Sequence, residues 1–360
     1  MAKIVYGVSG EGSGHSSRAR VIATHLVERG HQVRIISYDR GLRNLKDDFD
    51  LFETEGLHIA QSENQVSRLR TLTENLKKLP QGHARLKALR EEVFKTMQPE
   101  CVFTDFEPMT AYLATYYDLP LITIDNQHRL RYMVYPCPEQ LSHDNTLTRN
   151  IIRAMIPRPD VSLVTTFFYG ELKNSRTFLY PPILRREVLG LTPLKGDHVL
   201  VYLTGEFQRF IDILPHFKNE RFVIYGYDRE ETVDNCQYKP FSKAGFLLDL
   251  AGSKAVMATA GFTLITEALF LKKPYLAMPI KGQFEQEINA HFLEHMGYGL
   301  NVYSPSVDVI QGFLDRLPEF NSRLDGYRAE DNSKILDRVD ELLANDCALA
   351  KAFHDLRKRG

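Results

Sequence analysis

A glycine turn at the head of a helical pattern is the stretch of this sequence best suited to chemistry. A short apolar run over Lys254–Thr259 breaks at Ala260-Gly261, and helical spacing of apolar residues follows. This order predicts a strand, a tight turn and a helix. The unpaired N–H groups of a helix's first turn bind anions, and a glycine lets the anion approach the backbone. The candidate diphosphate ligands are the amides of Ala260, Gly261, Phe262 and Thr263.

Glu267 extends this candidate site along the helix. The apolar positions of the helix are expected to face the core, and they are Leu264, Ile265, Ala268 and Leu269. Thr263 and Glu267 then share another face, about 6 Å apart along the axis. A carboxylate at that distance from a diphosphate can accept hydrogen bonds from the ribose hydroxyls of a nucleotide. The alternative is an ordinary surface glutamate, which the helix dipole favours in this position.

Further features follow this helix in a defined order. They are Glu267-Ala268, the Pro-flanked run Pro274–Pro279, Glu285-Gln286, Asn289-Ala290 and the pair Gly297 and Gly299. With them the chain resembles the donor-binding half of GT-B glycosyltransferases, in the branch that holds the plant and macrolide UDP-sugar transferases and the lipid II-forming N-acetylglucosaminyltransferase. The resemblance implies an α/β protein of two Rossmann-like domains, with mostly parallel sheets that face an inter-domain cleft.

For the donor, the resemblance implies a nucleotide sugar, most simply a UDP-sugar. No metal and no other cofactor is expected, because a helix N-terminus can stabilise the leaving diphosphate. Glu267 would bind the ribose, and Glu285 with Gln286 would bind the hydroxyls of the sugar.

Two weaker matches complete the donor half. Thr204 and Gly205 follow the predicted strand His198–Leu203 and would contact the diphosphate. In the family, the backbone of a residue near Phe246 contacts the uracil edge, and residues there stack on the ring. Phe246, which precedes the predicted helix Leu247–Gly252, is equally compatible with a position in the core.

The beginning of the chain predicts a βαβ unit. Its parts are a strand over Ile4–Ser9, a glycine-rich loop, a helix over Arg18–Arg29 with Ser16 or Ser17 as N-cap, and a strand over Gln32–Tyr38. Gly10 and Gly12 begin the GxGxxG of a dinucleotide-binding fold. His15 stands where the third glycine belongs, which disfavours that fold.

Gly14-His15 instead resembles the first loop of the same GT-B branch, where a histidine at the cleft serves as general base. The resemblance implies that His15 takes a proton from an acceptor hydroxyl, and a usual pKa of about 6.5 suits this role. Asp105 ends a short apolar run, and the matching aspartate of relatives orients the histidine. The alternatives are a histidine that only stabilises the loop and an aspartate that only forms a turn before Pro108.

A second polar group follows the apolar run Leu121–Ile124. It comprises Asp125, Asn126, Gln127 and His128. A similar loop faces the acceptor in the lipid II-forming relative, so Asp125 or His128 could supply the base instead of His15. The alternative is that these residues cap the next helix or line a turn.

The chain length of 360 residues suits two domains. We predict an acceptor-binding domain over residues 1–190, a donor-binding domain over 191–332 and a final helix over 333–360 that returns to the first domain, as is usual in GT-B proteins. A net charge of −1 gives no sign of a nucleic-acid partner. A basic amphipathic helix over Glu63–Thr96 favours core packing, while attachment to a membrane surface stays open.

Cysteine use and hydropathy indicate the compartment. The four cysteines, Cys101, Cys137, Cys236 and Cys347, have no metal-binding spacing and predict free thiols in a reducing compartment. No apolar run is long enough to span a membrane. We therefore predict a cytoplasmic protein, with peripheral attachment to the inner face of the membrane as an open alternative.

The combined prediction is an inverting, metal-independent glycosyltransferase of the hexosyltransferase type, with an unidentified acceptor such as a lipid or polysaccharide. One alternative is a nucleotide-sugar hydrolase like that of pseudaminic acid synthesis, which shares a Gly-x-Gly-His loop followed by an arginine, here Arg18. Water would then replace the acceptor. The other alternative is a non-catalytic nucleotide-sugar-binding protein that keeps only the fold.

Overall fold

The computed structural model of the chain describes residues 1–56, 61–62, 65–66, 82–203 and 207–359. The chain divides into two compact units. Unit 1 comprises Met1–Ala60, Ser67–Arg185 and Asp331–Gly360, and unit 2 comprises Gln61–Val66 and Arg186–Glu330.

Unit 1 is built on a parallel sheet that has seven strands in the described residues. In chain order the strands of the molecule begin with β1 (Lys3–Val8), β2 (Gln32–Ser37), β3 (Leu51–Glu53), a short antiparallel hairpin of β4 (Gln61–Ser62) and β5 (Gln65–Val66), β6 (Cys101–Asp105), β7 (Leu121–Asp125), β8 (Val161–Thr165) and β9 (Thr177–Tyr180). The order in the sheet is β3-β2-β1-β6-β7-β8-β9. Strands β6, β7 and β8 are buried along their whole length, as expected for a parallel sheet covered on both faces.

The helices of unit 1 cover this sheet. They are α1 (Ser13–Glu28), α2 (Asp39–Leu45), α3 (Lys95–Met97, after a π-helical turn over Leu89–Phe94), α4 (Pro108–Tyr116), α5 (His128–Tyr132) and α6 (Ser142–Met155). Helix α1 buries Ala19, Ile22, Ala23 and Leu26, which recur at the spacing of one helical face.

Unit 2 repeats the architecture. Its strands are β10 (His198–Tyr202), β11 (Arg221–Tyr225), β12 (Glu231–Val233), β13 (Cys236–Tyr238), β14 (Ala255–Thr259), β15 (Tyr275–Met278) and β16 (Gly299–Asn301), in the sheet order β12-β13-β11-β10-β14-β15-β16. Strand β12 pairs antiparallel with β13, and the other described pairs are parallel. Its helices are α7 (Arg186–Leu189), α8 (Gln208–Ile211), α9 (Lys243–Gly252), α10 (Phe262–Phe270), α11 (Phe284–His295), α12 (Val307–Asp315) and α13 (Leu317–Asp325).

The last helix, α14 (Ser333–Arg359), lies in unit 1. Its residues Ile335, Val339 and Leu342 are buried in the same core as the apolar face of α1. The helical conformation breaks over Ala344–Cys347, where Asn345, Asp346 and Cys347 have positive φ.

Each sheet reverses its strand order at one place. In unit 1, β2 and β3 lie on one side of β1, and β6 lies on its other side. The carboxyl ends of β1 and β6 are therefore adjacent, with Val8 paired to Asp105. In unit 2 the corresponding pair is β10 and β14. Open α/β sheets bind ligands at such a reversal, outside the carboxyl ends of the strands.

For two helices, the starting residue predicted from the sequence was wrong. Helix α1 begins at Ser13, with Gly12 as N-cap at φ 77°, rather than at Arg18. The Ser16 hydroxyl donates to the Ser13 carbonyl inside the helix instead of capping it. Helix α9 begins at Lys243, where the Ser242 side chain caps it, so Phe246 lies within the helix.

The predicted basic helix over Glu63–Thr96 falls largely outside the described residues, which show helix from residue 82 onward. Among the residues that are described, no helix combines the length and the hydropathy needed to cross a membrane.

Lys273 in unit 2 gives a test of the packing. Its side chain is 4% exposed, and its ammonium group donates to the carbonyls of Leu194 and Ser253, both at 2.6 Å. Burial lowers the pKa of Lys273 from 10.5 to about 8. Above pH 8 the folded state loses this proton while the unfolded state keeps it, so stability rises with pH.

We expect the free energy of unfolding to rise, on account of Lys273, by about 2 kcal/mol between pH 7.5 and 9.5. Urea denaturation of the wild type and Lys273→Met across this range measures that contribution as the difference between the two curves. Lys195→Met, which removes an exposed lysine beside Leu194, is the matched control and should parallel the wild type. Parallel curves for the wild type and Lys273→Met would contradict the assignment.

Candidate active site

The carboxyl edge of the unit 1 sheet holds a buried carboxylate with two partners. Asp105 ends β6 and is fully buried. His15 Nδ1 lies 2.7 Å from Asp105 Oδ1. Arg18 donates from Nε to Oδ2 at 2.8 Å and from Nη2 to Oδ1 at 2.6 Å. The structure thus brings together the two residues predicted as base and orienting acid, and adds an arginine to them.

Helix α1 positions His15 and Arg18 on one face. His15 lies in the first turn, and Arg18 follows it one turn later, so both side chains reach the end of β6. His15 is 9% exposed, and its Nδ1 faces Asp105. Its Nε2 makes no hydrogen bond within the described chain, which leaves that nitrogen available to a substrate. Gly14, predicted as a neighbour of the acceptor, lies beside it in the same turn.

Arg18 is held from a second side. Its Nη1 donates to Asn126 Oδ1 at 3.0 Å, and the residue is 4% exposed. Burial lowers the pKa of the Arg18 guanidinium, but the charge and hydrogen bonds of Asp105 raise it more, so the net change is upward. The guanidinium therefore stays charged.

Asp125 and His128 form a separate pair at the end of β7. His128 donates its backbone N–H to Asp125 Oδ1 at 2.8 Å, and its Nδ1 lies 2.6 Å from Oδ2. Burial would raise the pKa of the Asp125 carboxyl, but the His128 contacts outweigh this and lower it. Both side chains are fully buried, and the ring of His128 stacks on Tyr132. This burial favours His15 over His128 as the group that meets an acceptor.

The glycine turn of unit 2 has the predicted form of strand, turn and helix. Gly261 is the N-cap of α10, with φ −67°, and a side chain there would meet open space. Two side chains hold the carbonyls of this turn. Asn289 of α11 donates from Nδ2 to the Ala260 carbonyl at 3.0 Å, and the Tyr275 hydroxyl donates to the Thr259 carbonyl at 2.7 Å. The carbonyls of the turn are therefore held in place, while the space beside the Gly261 Cα is open.

Glu267 is 1% exposed, so it is not the surface glutamate of the alternative interpretation. Burial, and then the charge of the Glu267 carboxylate, raise the pKa of the Tyr275 hydroxyl well above its usual value. Thr263, predicted to share its face, is half-buried, and so is Leu264, which was predicted to be buried. The helix is covered on more sides than its apolar pattern indicated.

The predicted sugar ligands lie at the start of α11. Gln286 Oε1 accepts the Ile280 N–H at 3.1 Å, and its Nε2 donates to Gln283 Oε1 at 2.6 Å, so this side chain also shapes the loop before the helix. Glu285 is half-buried next to it. Thr204 and Gly205 lie outside the described residues.

Phe246 is a core residue. It is 5% exposed and meets the rings of Tyr202 and Tyr225 edge to face, with centroids 5.3 and 5.2 Å away. Its N–H donates to the Ser242 carbonyl inside α9, so it offers no free amide to a base. Phe241, next to it at 6.0 Å and 60% exposed, is the accessible aromatic side chain of this group.

A pocket of about 450 Å³ opens beside the start of α9. Its lining includes Tyr225, Gln237, Tyr238, Lys239, Ser242 and Gly245, at the carboxyl ends of β11 and β13. Lys239 and the Tyr225 hydroxyl both bind the Asp249 carboxylate, at 2.7 and 2.6 Å.

The sequence matches the profile of glycosyl transferase family 1 over residues 2–318. The chain belongs to this family.

Related glycosyltransferases cover about nine tenths of the chain. An uncharacterized glycosyltransferase of Methanosarcina mazei is 25% identical over 374 residues, covering 91% of the chain and 96% of that protein. One of Methanosarcina acetivorans is 23% identical, covering 90% of the chain and 95% of that protein.

Solved structures give the fold of this family 1 protein. The glycotransferase of kitacinnamycin superposes with a TM-score of 0.69 at 16% identity, over 94% of the chain and 98% of that structure. The calicheamicin glycosyltransferase CalG4 has a TM-score of 0.68 at 15% identity, over 96% of the chain and 99% of that structure. The fold is therefore GT-B, with two Rossmann-like halves, as predicted.

Sequence reasoning missed two residues of this family 1 site. In the sequence, Arg18 supports only the resemblance to the hydrolase. Its spacing of three residues from His15 places both side chains on one face of a helix, where they can contact the same carboxylate. Asn289 was quoted only as part of a motif. Its contact with the Ala260 carbonyl depends on the meeting of two helices that the sequence does not reveal.

We expect Asn289→Ala to destabilise this family 1 protein by about 1–3 kcal/mol, because the buried Ala260 carbonyl loses its donor. Chemical denaturation followed by circular dichroism measures the loss. Asn321→Ala, at an exposed site on α13, should change stability by less than about 0.5 kcal/mol. Equal effects of the two substitutions would show that Asn289 does not support the turn.

Proposed function

We propose that this glycosyltransferase inverts the anomeric centre of a UDP-linked sugar while transferring it to an acceptor hydroxyl. The observation that carries the proposal is the contact of His15 with Asp105 at the strand-order reversal of unit 1, with Nε2 of the imidazole unengaged. An imidazole held in this way can act as a general base.

In the proposed step, His15 keeps its Nδ1 proton in the hydrogen bond to Asp105 and accepts the acceptor's hydroxyl proton at Nε2. The acceptor oxygen forms a bond to the anomeric carbon as the bond from that carbon to the diphosphate breaks. A single displacement inverts the configuration of that carbon. Asp105 stabilises the imidazolium that forms.

The donor half of the proposal rests on unit 2. The first amides of α10, from Gly261 to Thr263, would hold the diphosphate and the charge it gains on leaving, so we propose that no metal is required. Glu267 would accept the ribose hydroxyls, and Glu285 with Gln286 would bind a hexosyl group. Thr204 and Gly205 keep their proposed contact with the diphosphate.

The pocket beside α9 is our candidate for the base of the nucleotide. Phe241, which follows the lining residue Pro240 in the sequence, would offer its exposed ring for stacking. Uracil follows from the resemblance to UDP-sugar transferases, including the lipid II-forming branch. Two structural neighbours, SsfS6 and the spinosyn rhamnosyltransferase SpnG, were crystallised with thymidine diphosphate. A thymine nucleotide is therefore the competing donor to test, and a lipid or polysaccharide acceptor is proposed from the resemblance alone.

Ligand-induced stabilisation tests the donor site. We expect UDP and one UDP-sugar to raise the melting temperature, because they bind only the folded protein. Glu267→Gln should weaken donor affinity about 10- to 100-fold through loss of a charge-assisted hydrogen bond, whereas Glu319→Gln, at an exposed ion pair, should not. Preference for thymidine diphosphate would revise the base, and undiminished affinity in Glu267→Gln would exclude the ribose role.

Kinetics test the base. We expect His15→Gln to lower kcat about 10²- to 10⁴-fold with little change in donor affinity, since the histidine acts on the acceptor. The assay follows nucleoside diphosphate release with and without an alcohol acceptor, in the presence of a chelator. Equal release without an acceptor would favour the hydrolase, and full activity of His15→Gln would overturn the assignment of the base.

A further inference from the structure

We propose that Arg18 is a positioning residue that sets the charge beside His15 and fixes which nitrogen of that imidazole carries the proton. The proposal rests on the proposed function of His15 as general base. It adds a residue that touches the base and its aspartate rather than the substrate.

The contacts among Asp105, Arg18 and His15 allow one arrangement of protons. Arg18 engages both oxygens of Asp105, at 2.8 and 2.6 Å, so this carboxylate is ionised and can only accept. His15 Nδ1, 2.7 Å from the same Oδ1, must therefore carry a proton. Because Arg18 has no acceptor, its Nη2 at 3.3 Å from Nδ1 is a close cation rather than a second partner for that proton.

This arrangement decides the tautomer. In the neutral imidazole, a proton on Nδ1 leaves Nε2 unprotonated. Nε2 is the nitrogen that no described residue engages. Arg18 thus directs the basic lone pair away from the buried cluster.

Arg18 also sets the charge that a protonated His15 would meet. An aspartate alone favours the charged imidazole beside it, but here the guanidinium already balances Asp105. The N-terminus of α1, in whose first turn His15 lies, adds further positive potential. Arg18 therefore reduces the net negative charge that the imidazole of His15 meets.

Three other groups act on or contact the cluster. The negative charge of Asp125 acts on Arg18, and the Asp125 carboxylate is also held by His128 Nδ1 at 2.6 Å. Burial, with Asp105 next to it, raises the pKa of Tyr6 well above its usual value, so this phenol is neutral. Asn126 contributes only a hydrogen bond at 3.0 Å, which fixes the guanidinium.

Imidazole ¹⁵N resonances test the proposal directly and need no substrate. We expect His15, assigned by its loss in His15→Gln, to be protonated at Nδ1 in the wild type. In Arg18→Gln the midpoint of its titration should rise by about 1–2 pH units, because a cation next to the ring is gone. Arg18→Lys keeps the charge and should stay within about half a unit of the wild type.

The matched control is Arg20→Met, on the same helix, which pairs with Asp48 and not with Asp105. Its titration should equal that of the wild type. An unchanged midpoint in Arg18→Gln, an equal rise in Arg18→Lys, or a wild-type proton on Nε2 would overturn the proposal. Circular dichroism melts check that each variant is folded. If Arg18→Gln does not fold, the tautomer of His15 in the wild type decides whether the proposal stands.

Steady-state kinetics supply the second readout. In Arg18→Gln the acidic limb of kcat should move to higher pH by the same interval, with the donor KM unchanged. In a His15→Gln background the same substitution should have no further effect, because Arg18 acts through His15. Absence of turnover in the wild type would reject the proposed function, while the titration of His15 would still decide the role of Arg18.

Discussion

The buried charge of Asp105 is the constraint on which unit 1 depends. A carboxylate without solvent is stable only with close partners, and removal of one partner leaves a charge that the interior cannot solvate. The pairing of Val8 with Asp105 brings α1 to the end of β6, where Arg18 and His15 supply those partners. The requirement that stabilises the fold therefore also orients the imidazole.

Unit 2 uses the same topology with different chemistry. Its strand-order reversal carries a turn whose carbonyls accept hydrogen bonds from Asn289 and Tyr275. Under the proposed function, unit 1 supplies a side-chain base and unit 2 supplies backbone dipoles. Each element would suit its half of a group transfer, since a base must change protonation while an anion site must stay fixed.

Local patterns predicted the strands, because buried parallel strands are continuous apolar runs. They also predicted the glycine turn, because it interrupts such a run. The predicted start of α1 was wrong because Ser16 and Ser17, which suit a cap, also fit inside a first turn, and Gly12 is the N-cap. Helix α9 begins earlier than predicted, at Lys243, because Ser242 caps it. Burial of Glu267 and Phe246 depends on neighbours far away in sequence. Composition alone cannot reveal such contacts, and the same holds for the contact of Arg18 with Asp105.

The helix α14 completes the core of unit 1, although the main segment of unit 2, Arg186–Glu330, separates it in sequence from the strands it covers. During synthesis, unit 1 therefore lacks Ile335, Val339 and Leu342 until this segment of unit 2 has been translated. Unit 2, whose main segment Arg186–Glu330 is continuous, is complete before those three residues are added. We therefore expect unit 2 to fold before unit 1, although domains usually fold in order from the N-terminus during synthesis.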